Sequence, residues 1–321
     1  MKDLPEGLEE RDLRLALDAW GIGGELLEYA PVGFGDYHWR AGGRWFVTVA
    51  DLERRLQPEA ELVRAMDTAA ALGDLEFVVP PLPSARGAAV EVCGRFGVSV
   101  FPLLDGVSGG FGDELDDLRR GQVLDVLAAL HTAVPPSGTP VRSADLTTRA
   151  SLEAMLADYR GASGPYGEAA RDLVERCAPG IRRRLRDFDT LLAGLDGSPV
   201  VTHGEPHPGN VMWVSGAPRL VDWDTVGLAV PERDLWLVAR GAEDLRRYAE
   251  ASGREPDGDA LELYRLRWAL EDVSIYLDDF TRPHGDTADA RAGWEALEGT
   301  VEELVTCEGS DASGNRRAGS R

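Results

Sequence analysis

Three polar residues in one short run, and a fourth a dozen positions on, could act together. The run is His203-Gly204-Glu205-Pro206-His207-Pro208-Gly209-Asn210, a loop of Gly and Pro set between the apolar stretches Val200-Val201 and Val211-Met212-Trp213. Arg219-Leu220-Val221-Asp222-Trp223-Asp224 follows, an extended stretch that ends in acids. An acid that accepts a hydroxyl proton, with an amide oxygen and a carboxylate on Mg2+, are the parts phosphoryl transfer needs around one triphosphate. This segment contains one of each.

Such groups need elements that hold them. From Leu26 to Leu104 short β-type runs alternate with Gly and Pro: Leu26–Val32, Tyr37–Arg40, Arg44–Val49, Phe77–Val79, Ala88–Val92 and Gly97–Leu103. One helical pattern interrupts them over 58–72, where Leu62, Ala65, Met66, Ala69 and Leu72 recur at helical spacing. After Phe101-Pro102-Leu103-Leu104-Asp105-Gly106 the pattern turns helical, over 114–132, 143–159, 166–177 and, beyond the Pro179-Gly180 breaker, 180–195. Helices return over 232–251, 259–280 and 287–307. The expectation is an α+β chain with a small antiparallel sheet lobe carrying one helix (1–100), a linker (101–112), a mainly helical lobe (113–307) and a disordered tail (308–321).

The spacing of His203, Glu205 and Asn210 is that of the protein-kinase loop H-x-D-x-x-x-x-N, with a metal-strand acid to follow. The chain here resembles the aminoglycoside phosphotransferase family, whose loop reads H-G-D-x-H-x-x-N and whose metal strand reads D-W/F-D/E. Weaker likenesses extend it over about residues 25–305. They are the linker Phe101–Gly106, the helix motif Leu127-Ala128-Ala129-Leu130-His131, and Pro231-Glu232-Arg233-Asp234-Leu235. The resemblance implies a protein-kinase-like two-lobed fold and an ATP- and Mg2+-dependent kinase of a small molecule, with antibiotic resistance as a role.

Carried over, Glu205 is the catalytic base or the carboxylate that orients the hydroxyl, and Asn210 and Asp222 are the Mg2+ ligands. His203 props the loop. His207 is a hydrogen-bonded loop residue, and Asp224 is either a second acid near the metal or an exposed strand end. The adenine falls to the linker backbone at Phe101 and Leu103. Gly33-Phe34-Gly35 is either a phosphate-covering turn or an ordinary hairpin.

Two departures stand out. Glu205 occupies the family's Asp position, one methylene longer. In the strand Arg44-Trp45-Phe46-Val47-Thr48-Val49, Thr48 stands where the phosphate lysine belongs, and Lys2 is the only lysine among 34 basic residues. An arginine, from Arg44, Arg54, Arg55 and Arg64, must then bridge the phosphates, or Mg2+ carries the charge largely alone. Glu59 or Glu61 would hold that arginine. A non-catalytic nucleotide-binding protein, motivated by these departures, and a kinase of a sugar or amino alcohol are the competing readings.

The formal charge of -22 repels nucleic acid and anionic lipid and suits a cationic partner, although acidity also serves solubility. Acids of the helical region, Glu232, Glu271 and Asp272 foremost, would meet an amine-rich substrate. Cys93, Cys177 and Cys307 are far apart and form no C-x-x-C motif, as in reduced thiols. The charged start and the absence of a long apolar run point to a cytoplasmic protein.

Overall fold

The computed structural model describes residues 1–161 and 164–306. Strands β1 (Leu27–Ala30), β2 (Tyr37–Ala41), β3 (Trp45–Asp51), β4 (Glu91–Cys93) and β5 (Phe96–Pro102) form one antiparallel sheet in the order β1-β2-β3-β5-β4. Side chains alternate between its faces with period two. On β3, Val47 and Val49 pack with Leu13 and Leu17 of α1 (Glu10–Leu17), whereas Phe46 and Ala50 pack with Leu62 and Met66 of α2 (Glu59–Ala71). Thr48 therefore shares the α2 face. Helix α1 is a second helix on the sheet, beyond the one read from the sequence. Its eight residues bury only Leu13 and Leu17, too few to make a periodic pattern visible.

Helix α2 is apolar on a second side. Ala65, Ala69 and Leu72 enter a core shared with α3 (Asp117–Thr132), β6 (Val200–Thr202), β7 (Val211–Val214) and β8 (Ala217–Leu220). Burial on both sides joins sheet and catalytic segment into one compact unit, 1–143 with 196–261. Compactness thus follows a different line from the sequence boundary at 101–112. The unit also holds β9 (Gly227–Ala229), paired with β6, and the helices α6 (Glu232–Val238) and α7 (Ala242–Ser252). The expected single helix over 232–251 is thus two, parted at Gly241. Phe77–Val79, expected as a strand, makes only an isolated parallel bridge, Val78 to Leu220.

The second unit takes in 144–195 and the residues from 262 onward. It contains α4 (Arg149–Ala157), α5 (Gly167–Gly194), most of α8 (Gly258–Asp279) and α9 (Ala288–Thr306). Pro179 lies inside α5, contrary to the expected break. A proline inside a helix removes one backbone bond and crowds the preceding turn. Here the buried stripe Leu173, Val174, Ala178, Ile181, Leu185 and Phe188 runs through it and holds the helix continuous. Cys93 and Cys177 are free thiols, both half-buried. Cys307 and the tail expected over 308–321 lie outside the described residues. No helix among the described residues is long and apolar enough to cross a membrane.

Candidate active site

The loop after β6 is fixed from beneath by one carboxylate. Asp234, on α6 and fully buried, accepts from the backbone amides of His203 at 2.8 Å and Gly204 at 2.6 Å. It also accepts from His131 Nε2 at 3.0 Å, while the Tyr248 hydroxyl lies 2.8 Å from His131 Nδ1. Burial alone would raise this carboxyl, but the hydrogen bond and charge of His131 and the charge of Arg233 outweigh it and hold Asp234 below the usual range. Its three donors give Asp234 the task of positioning the loop. Gly204 is left-handed at φ 105°, and a Cβ there would stand 2.3 Å from Arg233 Nη2, so only glycine fits. Arg233 donates to Thr202 Oγ1 at 2.7 Å and to the Thr225 carbonyl at 2.9 Å, tying the loop to the segment after the metal strand.

Histidines stiffen the loop. His203 Nε2 donates to the Val221 carbonyl at 2.9 Å, which makes Nδ1 the acceptor for the Glu205 amide at 3.3 Å. Burial pushes its pKa down, so the ring stays neutral. His207 Nδ1 accepts from the Gly209 amide at 3.1 Å, with Phe111 edge-on at 5.0 Å, and burial lowers it to about 4. Both props are locked in one tautomer.

Asn210 closes the following 3-10 turn. Its Nδ2 donates to the Glu205 carbonyl at 3.0 Å and its own carbonyl accepts from the Val221 amide at 3.0 Å. With the nitrogen end committed, the amide oxygen is the end left for a cation. The next residue, Asp222, is left-handed at φ 65°, a strained backbone for a non-glycine of the kind that gathers at functional sites. Its side chain is open to solvent but stands among protein on its other sides. Desolvation, then the like charges of Asp224, Asp36 and Glu205, push its carboxyl well above the usual range against the pull of Arg55. The Asp222 carboxylate and the Asn210 amide oxygen are the oxygen donors that a hard cation such as Mg2+ would take.

Facing this edge is the turn between β1 and β2. Gly33 and Gly35 are left-handed at φ 70° and 99°, and a Cβ on Gly33 would come within 3.3 Å of His38 Nε2. Thr48 lies opposite His38, its Oγ1 3.3 Å from Nδ1, so the position of the missing lysine is filled by a buried neutral pair. Phe101 is buried in β5 opposite Phe46. Leu103 donates its amide to the Arg44 carbonyl at 2.9 Å, so a base lying along the linker would meet its carbonyl and not its N–H.

Of the four candidate arginines, Arg55 reaches the metal strand. It ion-pairs with Asp224 and, at 3.3 Å, with Asp36, which follows Gly35 directly. Asp224 is thereby a paired acid, its side chain only 15% exposed, and not a free strand end. Arg44 instead pairs with Glu25 and Arg64 lies 3.9 Å from Glu61, both half exposed or more. Neither Glu59 nor Glu61 holds Arg55, and Glu61 pairs with Arg142. Asp36 and Arg142 went unmarked in the sequence, although an acid directly after G-x-G was a signal to follow.

The acids expected at a substrate differ in their surroundings. Glu232 is buried and accepts from the Asp257 amide at 2.8 Å, a bond that ties α6 to the segment before α8. In the second unit Glu271 pairs with Arg267 at 3.0 Å. Its neighbour Asp272 is pushed up to about 7, by burial first and by Glu271 next, and bonds the Trp268 side chain.

Residues 33–270 match the phosphotransferase enzyme family model, and the chain belongs to that family. It is a small-molecule phosphotransferase with the kinase-like fold. Protein StrN of Streptomyces griseus is 29% identical over 288 residues, 84% of this chain and 85% of its own. Viomycin phosphotransferase of Streptomyces vinaceus is 29% identical over 222 residues, 57% of this chain and 74% of its own. Among solved structures, spectinomycin phosphotransferase APH(9)-Ia with ADP and spectinomycin superposes with a TM-score of 0.72 at 17% identity, over 94% of this chain and 99% of that one.

Proposed function

We propose that the protein transfers the terminal phosphoryl group of ATP to a hydroxyl of a small, cationic molecule of the antibiotic type. One observation carries the reading: Glu205, Asn210 and the strand leading to Asp222 are bonded into a single rigid set, through the Asn210 amide and His203. As the substrate oxygen bonds to phosphorus and the bond from phosphorus to the leaving diphosphate oxygen breaks, Glu205 accepts the hydroxyl proton. Asn210 and Asp222 would hold Mg2+, which when bound neutralises phosphate charge. Asp234 keeps the loop backbone in place throughout.

A cationic acceptor is supported by the acidic balance of the chain and by the substrates named for the viomycin and spectinomycin enzymes. Of the three acids expected to meet it, Glu232 is the one in the unit that carries the catalytic loop, and its partner is the Asp257 backbone amide and not a basic side chain. The test is ADP release from Mg2+-ATP across aminoglycosides, cationic peptide antibiotics, sugars and amino alcohols. Turnover with a cationic antibiotic is expected. Turnover only with neutral sugars would overturn the substrate class, and nucleotide binding without turnover on any acceptor would favour a non-catalytic nucleotide binder.

A further inference from the structure

The loop between β3 and α2 carries an arginine that the fold holds at considerable cost. Arg55 is 11% exposed and sits between Asp36 of the glycine turn and Asp224 of the metal strand, themselves 13% and 15% exposed. Its Nη1 reaches both oxygens of Asp36 at 3.3 Å and its Nη2 donates to Asp224. Its Nε is buried with no hydrogen-bond partner among the described residues. A guanidinium buried among acids with one donor left over is a strained arrangement for an inert ion pair, because an unmet buried donor is costly. It is a fitting one for a group that takes a further, highly charged acceptor.

The strand position from which a lysine would reach the phosphates is closed, since Thr48 is buried against His38. Arg55 enters from the next loop and contacts both segments that flank the proposed triphosphate site, the glycine turn and the metal strand. We propose that Arg55 is the phosphate-binding cation of this kinase, held by Asp36 and Asp224 until a polyphosphate takes over part of its donor set. The inference rests on the kinase reading and deepens it. A planar fork suits phosphate oxygens as well as carboxylates, so the exchange from Asp224 needs little movement of the side chain. The loop itself is braced, because Asp51 at its start accepts from the Glu53 amide at 3.2 Å and pairs with Arg95 at 3.1 Å.

The test is titration calorimetry of adenosine, ADP and ATP, each with Mg2+, on the parent protein, on Arg55→Gln and on the double variant Arg55→Gln/Asp36→Asn. The double variant removes the cation and one of its carboxylates together, so it guards against loss of fold through an unpaired buried acid; thermal melting checks both. Arg55→Gln is expected to weaken ADP and ATP binding about ten- to a hundredfold, the scale of a lost charge-assisted hydrogen bond, and to leave adenosine binding unchanged. The double variant should show the same pattern. Parent-like ATP and ADP affinity in either folded variant overturns the assignment of Arg55 while the kinase reading stands. Equal weakening for adenosine also overturns it, since the residue would then shape the site and not bind phosphate. A parent that binds none of the three ligands overturns the kinase reading itself.

Discussion

Glu61 on α2 accepts a hydrogen bond from Arg142 at 2.9 Å, and the same guanidinium donates at 3.2 Å to the carbonyls of Asp224 and Val226. The helix acid that would be expected to steady a strand lysine is thus tied to the backbone just past the metal strand. Burial, and after it the charge of Arg233, pushes Arg142 down to about 10, so it remains cationic at neutral pH. Arg142→Met takes a donor from Glu61 and from the carbonyls of Asp224 and Val226, and should cost about 2–3 kcal/mol of stability. Glu61→Gln keeps an acceptor in place and should cost about 1 kcal/mol or less. Urea unfolding of the two variants checks the ranking. Equal losses would mean that the carboxylate charge, and not the carbonyl anchoring, is what matters.

The sequence made the active loop readable because its parts are local. His203, Glu205 and Asn210 are set by spacing within eight residues, and Asp222 by one short hairpin, so pattern alone brings them together. Arg55, Asp36 and Arg142 were less readable because their meeting depends on tertiary packing between segments as far apart as residues 36, 55 and 224. The antiparallel sheet was legible from alternation and turn residues, but the β1-β2-β3-β5-β4 order was not, because pairing of β3 with β5 is a tertiary choice. Helix α1 escaped since two buried leucines make no period, and the continuity of α5 through Pro179 escaped since a breaker rule is local while the stripe that overrides it is not.

Asn210→Ala and Asp222→Asn should each abolish Mg2+-dependent ATP turnover, because each removes an oxygen ligand a hard cation needs. Their effects on stability should differ. Asp222 is crowded by like charges, and asparagine tolerates its left-handed backbone, so Asp222→Asn should melt at or above the parent temperature. Asn210→Ala loses the bond to the Glu205 carbonyl and should melt slightly lower, by the equivalent of about 1 kcal/mol. Melting curves alongside ADP release decide it, and metal-dependent turnover surviving in both variants would remove these residues from the metal site.

Stability should carry a histidine signature on the acid side. His38 is lowered by burial to about 4 in the folded chain, from an ordinary value near 6.5. The unfolded chain therefore takes up a proton first as pH falls, and each step down from about 6.5 to about 4 favours unfolding, by on the order of 3 kcal/mol in all. His38→Gln removes the titration, so its urea midpoint should fall less steeply than the parent's across that window. Parallel pH profiles for the two proteins would show that His38 does not titrate differently on folding.

Glu205 is where the mechanism is most exposed to test. Its amide is held by His203 Nδ1 and its carbonyl by Asn210, so the backbone that launches the side chain is fixed and the carboxylate reach is set by chain length alone. A carboxylate that accepts a proton as the hydroxyl attacks is typically worth about 10²- to 10⁴-fold in rate. Glu205→Gln keeps the shape and removes the basicity, so kcat should fall within that range while ATP affinity stays near that of the parent. Glu205→Asp keeps the basicity and draws the carboxylate back by one methylene; in a loop this firmly held it should lose rate as well, since proton acceptance requires heavy atoms about 2.6–3.2 Å apart. Measuring kcat and ATP dissociation constants for both, with the best acceptor from the substrate panel, separates the two effects. Full turnover in Glu205→Gln would place the base elsewhere. An Asp variant faster than the parent would mean that the native glutamate holds the site below its attainable rate.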